Sequence, residues 1–312
     1  MILSASRRTD IPAYYSEWFV NRMKEGFLYV RNPMNPRQIS RIDLSPDVVD
    51  CIVFWTKNPA DMMGRLGALD GYPYYFQFTL TGYGRDMEPN LPDKREVLIP
   101  TFRKLSQRIG KERVIWRYDP ILVNQRYTAA YHVKAFGEIA DSLADYTQKA
   151  VISFVDMYAK LRRNARTLGF GEVGWDDMRY LAGEMARIAS RHGLAIESCA
   201  EQADLEEVGV RHGSCIDQRL IEKLTGCSLS GGKDKNQRKE CGCLESIEVG
   251  TYDTCLNGCR YCYANRSDGK VRETAGLYRA DAPLLCGEVG LEDKVTDRKV
   301  GSLRDAQIRW LE

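Results

Sequence analysis

The stretch Cys51-Ile52-Val53-Phe54-Trp55-Thr56-Lys57-Asn58-Pro59 decides which fold we expect for this chain. Its first five residues are all apolar, without the polar alternation of a half-exposed strand. Such a run is typical of a strand that is buried on both faces of a parallel sheet. Polar residues and a proline then end the strand, and a helical pattern follows at Met62, Leu66 and Leu69. This order of strand, loop and helix predicts parallel strands that are connected by helices.

The same order repeats along the chain. The longest helical pattern runs from Trp175 to Ile188, and Asp176 or Asp177 is expected to cap its start. The sequence therefore predicts an α/β fold in which parallel strands form an open or closed barrel. Strands are predicted at residues 2–6, 51–55, 74–80, 114–116, 150–154, 194–198 and 246–251.

We expect residues 1–312 to form a single domain, because no long linker and no repeat of fixed period interrupts this order. Residues 226–240 are rich in Ser, Gly and mixed charges, which indicates a flexible loop. The part of the chain after about residue 268 is a C-terminal extension, and Val300–Leu311 has the spacing of an amphipathic helix.

The composition indicates an ordinary globular protein. The chain has 45 basic and 43 acidic residues and a net charge of +2, so no overall positive charge favours nucleic acid. The first residues contain no apolar segment of a secretory signal, and no apolar run approaches the roughly 20 residues of a membrane-spanning helix. We therefore expect a cytoplasmic protein with no membrane partner. Ten cysteines are many for that compartment, where disulfides rarely persist, so the clustered ones favour metal binding or redox chemistry.

Three cysteines lie close together in Asp253-Thr254-Cys255-Leu256-Asn257-Gly258-Cys259-Arg260-Tyr261-Cys262-Tyr263-Ala264-Asn265. A loop this short can bring Cys255, Cys259 and Cys262 to three corners of an iron–sulfur cube. Full cysteine ligation needs four thiolates, so the fourth iron is left for an external ligand. Zinc is the alternative, because catalytic zinc sites also keep three protein ligands and one open position. The aromatic Tyr261 and the preceding strand favour the cluster.

A second set of cysteines is more dispersed. Cys241 and Cys243 form a Cys-x-Cys motif, Cys199 ends a predicted strand and Cys215 follows it. These four thiols can ligate a second cluster or a structural zinc. The alternative for Cys199 and Cys215 is that they are small buried apolar side chains.

Polar residues follow almost every predicted strand. In barrels of parallel strands the chemistry takes place in the loops after the strands, so these side chains are expected to form the rim of an active site. The alternative is that strand ends are simply where sequences become polar. The rim residues that we select are Arg7, Arg8, Asp10, Lys57, Arg117, Asp119, Ser153 and Glu197.

Several motifs together resemble those of a known family. The chain is similar to DUF1848, a family whose hallmark is a C-terminal cysteine cluster like that of radical S-adenosylmethionine (SAM) proteins. The spacing of Cys255, Cys259 and Cys262, ending in Tyr-Cys, itself resembles the radical SAM signature. The matching stretches are residues 4–12, 54–59, 116–121 and 241–243, together with Tyr261-Cys262-Tyr263-Ala264-Asn265.

The middle of the chain also resembles spore photoproduct lyase and its relatives. They share a Thr-Lys strand end, a Thr-Leu strand end followed by Glu-Pro (here Glu88-Pro89), and an Arg-x-x-Pro strand end, in this order. In those proteins the cysteine loop precedes these elements, whereas here it follows them. The resemblance therefore implies a partial or near-closed radical SAM barrel that is circularly permuted. Its cluster loop is C-terminal, and the strand at 246–251 lies beside the one at 2–6.

The resemblance implies a radical SAM enzyme of the lyase or oxidoreductase class, with a [4Fe–4S] cluster, SAM, and an electron donor such as flavodoxin or ferredoxin. Arg7 or Arg8 is expected to bind the methionyl carboxylate of SAM, and Lys57 or Arg117 a substrate anion. Asp119 or Glu197 is expected to accept the ribose hydroxyls or the amino group of SAM. The implied catalytic set is Arg7, Arg8, Asp10, Lys57, Arg117 and Asp119, and the implied cofactor-binding set is Tyr261, Ser153 and Glu197.

A function of another class is also compatible with the sequence. A non-catalytic module, stabilised by zinc or a cluster, can bind single-stranded nucleic acid through a patch of basic and aromatic side chains. A third hypothesis combines the enzyme and the nucleic-acid-binding module: a lyase that acts on modified nucleic acid. It rests only on analogy with the photoproduct enzymes. The patch would consist of Arg7, Arg8, Arg260, Arg266, Tyr261 and Tyr263.

Overall fold

The computed structural model describes residues 1–305. The strands are β1 (Ile2–Ala5), β2 (Phe27–Arg31), β3 (Gln38–Asp43), β4 (Cys51–Thr56), β5 (Tyr74–Thr79), β6 (Val114–Ile121), β7 (Lys149–Phe154), β8 (Ala195–Cys199), β9 (Arg211–Gly213), β10 (Ile247–Glu248) and β11 (Lys294–Asp297). The α-helices are α1 (Ile11–Tyr14), α2 (Ser16–Glu25), α3 (Ala60–Met63), α4 (Ile99–Ile109), α5 (Ala129–Leu143), α6 (Arg162–Leu168), α7 (Trp175–Arg191), α8 (Gln218–Thr225) and α9 (Asp268–Ala275).

Eight strands form one sheet in the order β10-β1-β4-β5-β6-β7-β8-β9, and every neighbouring pair is parallel. All seven predicted strands belong to this sheet. The strands predicted at 2–6 and 246–251 were expected to lie side by side. This is confirmed, because Leu3 pairs with Ile247 and Ser4 with Glu248. The predicted α/β fold with parallel strands is therefore confirmed, as an eight-stranded parallel sheet.

Alternate residues of each strand point to opposite faces of the sheet, and the two faces are covered differently. On one face, which we call the outer face, side chains such as Phe54 and Trp116 belong to the large core that includes helices α2, α4, α5 and α7. We call the opposite face the inner face. On the inner face, Cys51, Val53 and Tyr75 pack against residues of α8 and the segments beside it. Because both faces are covered, the strands are apolar on both sides, as the sequence predicts.

A second, smaller sheet has the order β11-β3-β2, and the sequence analysis missed it. Strands β2 and β3 pair antiparallel, and β11 joins β3 in parallel from the C-terminal extension. The three-residue strand β9 was missed too, because three residues carry almost no periodic signal. Strands β9 and β11 are short and pair with strands that were formed elsewhere in the chain, whereas β2 and β3 form a local antiparallel pair that the analysis overlooked.

Three local predictions need correction. The helix expected over Met62, Leu66 and Leu69 is broken into α3 and a separate 3₁₀ turn at Leu66–Leu69. Helix α7 begins after Gly174 without a side-chain cap, so neither Asp176 nor Asp177 caps it, although both lie in its first turn. Residues 300–305 of the predicted final helix are not helical, and its remaining part lies outside the described residues.

The C-terminal part of the chain returns to the main sheet. Leu229, in the 226–240 segment, forms an isolated bridge with Arg304, and Lys233 forms one with Leu244. The first bridge joins the 226–240 segment to the end of the described chain, and the second joins it to the residues just before β10. None of the helices within residues 1–305 is long and apolar enough to cross a membrane.

Candidate active site

The polar loops after the strands meet at one edge of the sheet. The segment from Arg7 to Asp10 follows β1, Lys57 follows β4, and the cysteine loop follows β10. Since β10, β1 and β4 are consecutive and parallel in the sheet, their carboxyl ends lie side by side. The three thiols of the loop therefore lie on the rim where the sequence places the active site.

The three rim thiols, Cys255, Cys259 and Cys262, are partly buried, form no disulfide and lie close enough to influence one another's charge. Burial raises the pKa of Cys259 to about 12, with Lys57 opposing this rise and Cys262 adding to it. Burial likewise raises the pKa of Cys255, and the negative charges of the other two thiols raise it further. The raised pKa values favour protonated thiols in spite of Lys57, whereas bound metal favours their thiolate form.

The first half of the cysteine loop is fixed by the segment after β1. The Asp10 carboxylate accepts hydrogen bonds from the Lys57 backbone N–H at 2.7 Å and from the Asn257 side chain at 3.0 Å. Asn257 in turn accepts a hydrogen bond from the Tyr14 hydroxyl at 2.7 Å. Asp10 also caps α1, so one buried carboxylate connects the helix, the end of β4 and the loop between Cys255 and Cys259.

The middle of the loop rests on the segment after β5. The Asn90 side chain donates to the Leu256 carbonyl at 2.8 Å, and the Arg260 N–H donates to the Met87 carbonyl at 2.9 Å. Gly258 has a φ of +68°, and a Cβ there would lie 2.8 Å from the Asn90 amide nitrogen. The close approach of this segment thus requires glycine between the first two cysteines.

A buried charge network lies beside Cys259. Glu88 accepts hydrogen bonds from Lys57 at 2.8 Å and from Lys94 at 2.5 Å, and it also contacts the Tyr261 hydroxyl. Burial alone would raise the pKa of Glu88, but the two ammonium groups lower it to about 2. At Lys57, burial would lower the pKa, but attraction to Glu88 outweighs it and the pKa of Lys57 is raised. At Lys94 the effect of burial is the larger one, and the pKa of Lys94 is lowered. Lys57 therefore holds Glu88 and Tyr261, which positions the loop.

Arg7 and Arg8 lie under the cysteine loop in different environments. The Arg7 guanidinium stacks on Trp55 at 4.7 Å from the ring centre, and its Nη2 atom is buried without a hydrogen-bond partner within residues 1–305. Arg8 lies over Tyr252 at 4.6 Å and reaches the Gly250 carbonyl at 3.5 Å. Arg7 therefore retains a buried, unused donor, and Cys243 and Cys215 are the charged groups that act on it most strongly.

Arg117 and Asp119 form a closed pair on the inner face. Two guanidinium nitrogens of Arg117 donate to the two Asp119 oxygens at 2.9 and 2.5 Å. The Ser153 hydroxyl lies 3.4 Å from Asp119, so these three predicted residues are brought together. A third nitrogen of Arg117 lies 2.7 Å from the sulfur of Cys215, which leaves little of this side chain for a substrate.

Glu197 is not brought to the rim with the other predicted residues. Its carboxylate forms an ion pair with Lys149 at 2.9 Å, and Lys149 also binds Asp217 at 2.8 Å. Lys149 is the first residue of β7, at the amino end of the sheet. Glu197 thus belongs to an ion-pair group around the start of α8.

The four dispersed cysteines come together on the inner face. Cys199 and Cys215 have sulfurs 2.8 Å apart, Cys215 also interacts with Cys243, and Cys243 interacts with Cys241. They belong to one buried cluster with apolar residues of β1, β4 and β5. As the side chains stand, residues 1–305 contain no group of three or more His, Cys, Asp or Glu residues arranged to hold a metal ion.

Two residues of the rim escaped the sequence analysis. Glu88 was noted only as part of a shared motif, and its position after β5 was its only other signal. Glu201 follows Cys199 at the end of β8 and accepts a hydrogen bond from the Phe154 N–H at 2.8 Å. Burial raises the pKa of Glu201 to about 7, and the negative charges of Asp156 and Asp119 also favour the protonated form.

The basic and aromatic patch of the second hypothesis is largely occupied by internal contacts. Arg266 forms an ion pair with Asp253 at 3.3 Å, and Arg260 approaches Asp268 at 3.4 Å. Tyr261 is buried, and the Tyr263 hydroxyl donates to the Arg7 carbonyl at 2.7 Å. These groups therefore have partners within the protein, while Arg266 and Arg260 stay 68% and 40% exposed.

The model of one protein family, a domain of unknown function called DUF1848, matches residues 2–264. The chain belongs to the DUF1848 family. The matched region of this DUF1848 protein includes all eight strands of the main sheet and both sets of cysteines, whereas α9 and β11 lie beyond it. No curated protein and no solved structure matches the chain.

Proposed function

We propose that this DUF1848 protein is a radical SAM enzyme whose [4Fe–4S] cluster is held by Cys255, Cys259 and Cys262. The observation that carries the proposal is the position of these three unpaired thiols, in one short loop at the carboxyl end of β10, on the rim formed with β1 and β4. Thiolates are the ligands of iron–sulfur clusters, and three of them leave one iron for SAM. A cluster bound there and reduced by one electron would supply the electron that cleaves SAM into methionine and a 5′-deoxyadenosyl radical, which would take a hydrogen atom from the substrate.

The polypeptide's part is to hold and orient these groups. Asp10, through Asn257, and Asn90, through the Leu256 carbonyl, fix the loop so that its thiols keep their mutual positions. Lys57 brings a positive charge close to Cys259 and Cys262, which favours their thiolates.

The expected ligand of the methionyl carboxylate is Arg7 rather than Arg8. A buried guanidinium nitrogen without a partner is costly, and a carboxylate is the anion that its planar geometry binds best. Asp119 and Ser153 lie on the inner face near the carboxyl ends of β6 and β7, and Ser153 can accept from or donate to hydroxyl groups of SAM or substrate. Lys57 and Arg117 act as positioning residues, because Glu88 and Asp119 already neutralise them.

On this proposal the main sheet is a near-closed, circularly permuted radical SAM barrel in which β10 is the first strand. Two features support it: β10 pairs in parallel with β1, and the cysteine loop directly follows β10. A further contact joins the two ends of the strand order, because His212 of β9 lies 2.6 Å from the carbonyl of Glu240, just before β10. A flavodoxin or ferredoxin is the proposed electron donor.

The test is anaerobic reconstitution with iron and sulfide, followed by addition of dithionite and SAM. We expect about four more iron and four more sulfide than in the Cys255→Ala/Cys259→Ala/Cys262→Ala variant, and release of 5′-deoxyadenosine. Cys259→Ala should abolish this release, whereas the control Cys227→Ala, which removes a thiol outside both sets, should retain it. Folded, iron-free protein that carries zinc and binds oligonucleotides with a steep salt dependence would support the nucleic-acid-binding module instead.

A further inference from the structure

Four thiols from three separate segments converge on the inner face of the sheet. Cys199 ends β8, Cys215 follows β9, and Cys241 and Cys243 precede β10. Their exposure lies between 1% and 8%, and none of them forms a disulfide. Four buried, unpaired thiols in one contiguous cluster are far more than the packing of small apolar side chains requires.

We propose that these four thiolates bind one thiophilic metal centre, a zinc ion or an iron–sulfur cluster, that connects the two edges of the eight-stranded sheet. This centre is separate from the rim site, and its ligands do not include any of the three rim thiols. Sulfur-only sets of four are the ligands of structural zinc and of fully ligated iron–sulfur clusters.

The surroundings of the thiols are suited to anionic sulfur. Arg117 directs one guanidinium nitrogen to Cys215 at 2.7 Å, and the Ile216 N–H donates to the Cys243 sulfur at 3.4 Å. Arg7 is close enough for its charge to act on Cys215 and Cys243. A metal core of charge +2 offsets half of the charge of four thiolates. The Arg7 guanidinium lies near the remaining negative charge, and Arg117, which Asp119 neutralises, contributes a hydrogen-bond donor to Cys215.

The thiols must move apart to receive the metal. Four sulfurs at about 2.3 Å from a zinc ion lie about 3.8 Å from one another in a tetrahedron. For zinc, the 2.8 Å separation of Cys199 and Cys215 must therefore increase by about 1 Å, and an iron–sulfur cluster requires a larger movement. The carbonyl of Cys215 is anchored by Tyr75 and Gln77 at 2.6 and 2.8 Å, so rotation of the side chains is the simpler adjustment.

The position of the four thiols gives the centre a structural role. Strands β9 and β10 are the two edge strands of the sheet order, and within residues 1–305 no strand pairing joins them. The contacts between the two edges that the described residues show involve the segment before β10, such as the hydrogen bond from the Leu244 N–H to the Ile216 carbonyl at 3.1 Å. Metal bound by Cys199 and Cys215 on one side and by Cys241 and Cys243 on the other would connect these edges.

The experiment uses a full-length variant without the rim thiols, Cys255→Ala/Cys259→Ala/Cys262→Ala, so that metal at the rim is not counted. The anaerobically purified protein is loaded with zinc chloride alone, or with ferrous iron and sulfide, and its metal is counted after desalting. We expect about one zinc or about four iron per chain, and a higher melting temperature of the loaded form. The metal that binds more tightly identifies the centre as zinc or iron–sulfur.

Adding Cys241→Ala and Cys243→Ala to that variant should lower the bound metal at least tenfold. The matched control is Cys51→Ala, which removes a fully buried thiol from the same inner face and should leave the metal content unchanged. If the five-residue variant does not fold, Cys241→Ser replaces it. Cobalt loading should then show sulfur-to-cobalt absorption reduced by about a quarter, as expected for three thiolates instead of four.

A folded rim-thiol variant that binds neither zinc nor iron would overturn the proposal. So would metal that survives the loss of Cys241 and Cys243, or a Cys199–Cys215 disulfide found by mass spectrometry in the anaerobic protein. Because the rim thiols are absent from this variant, none of these results depends on SAM cleavage.

Discussion

The contribution of Glu88 to stability can be calculated and tested, because this carboxylate is 1% exposed and binds two ammonium groups. Glu88→Gln keeps the shape of the side chain but leaves Lys57 and Lys94 without a counter-charge. A fall of the Glu88 pKa from 4.5 to about 2 on folding corresponds to about 3 kcal/mol at neutral pH. This agrees with the roughly 3–5 kcal/mol lost when one partner of a buried ion pair is removed.

The assay is urea unfolding of both proteins, followed by tryptophan fluorescence, at pH 7 and at lower pH. At pH 7 we expect Glu88→Gln to lower the free energy of unfolding by about 3 kcal/mol, or the melting temperature by about 5 °C for a chain of 312 residues. A depressed carboxyl pKa stabilises the fold fully above 4.5, and this contribution is lost as the pH falls toward 2. The difference between the two proteins should therefore shrink below pH 4.5.

The matched control for this experiment is Glu138→Gln. Glu138 pairs with Arg95 at 2.7 Å, but these side chains are 47% and 81% exposed, so the loss should stay below about 1 kcal/mol. If Glu88→Gln cost no more than this control, or if its effect were the same at pH 7 and pH 4, the buried network would not carry the stability that we assign to it.

Two further predictions concern pH and the cysteine loop. The pKa of Glu201 is raised from 4.5 to about 7, so the free energy of unfolding should fall as the pH rises between these values. In urea titrations at pH 8, Glu201→Gln should remove this fall and raise the free energy of unfolding by about 1–3 kcal/mol over wild type. Glu207→Gln, at an exposed position, should not. Gly258→Ala should destabilise the protein by about 1–2 kcal/mol and lower the iron retained at the rim, because its φ is positive and Asn90 blocks a Cβ. Gly171→Ala, where a Cβ meets open space, is the control, and equal iron retention in both variants would contradict this explanation.

Much of the site could be predicted because strand ends are a local property of the sequence. Apolar runs such as residues 51–55 identify the strands, and polar residues after them, such as Lys57, fall on the rim whenever the strands are parallel. The position of Cys255, Cys259 and Cys262 at the end of β10 follows from the same rule. That β10 lies beside β1 was inferred from a resemblance to other proteins, and the strand pairing confirms it.

The partners of the charged rim residues could not be predicted in this way. Lys57 and Arg117 were expected to bind anions of a substrate, but Glu88 and Asp119 neutralise them within the protein. The hydrogen bond from Tyr14 to Asn257 joins residues 243 positions apart. No local pattern indicates which rim residue faces which, because the choice depends on strand order and twist.

The amino-acid sequence by itself determined the parallel α/β class, the strand ends and the short loop that presents three thiols, because periodicity and spacing act within a few residues. Only the tertiary structure decided that Cys199, Cys215, Cys241 and Cys243 meet on one face, and that Glu197 turns away from the rim to Lys149. Such contacts depend on how eight strands are ordered and packed, and burial makes a charged group, such as a carboxylate or a thiolate, costly at such a contact unless its partner is in place.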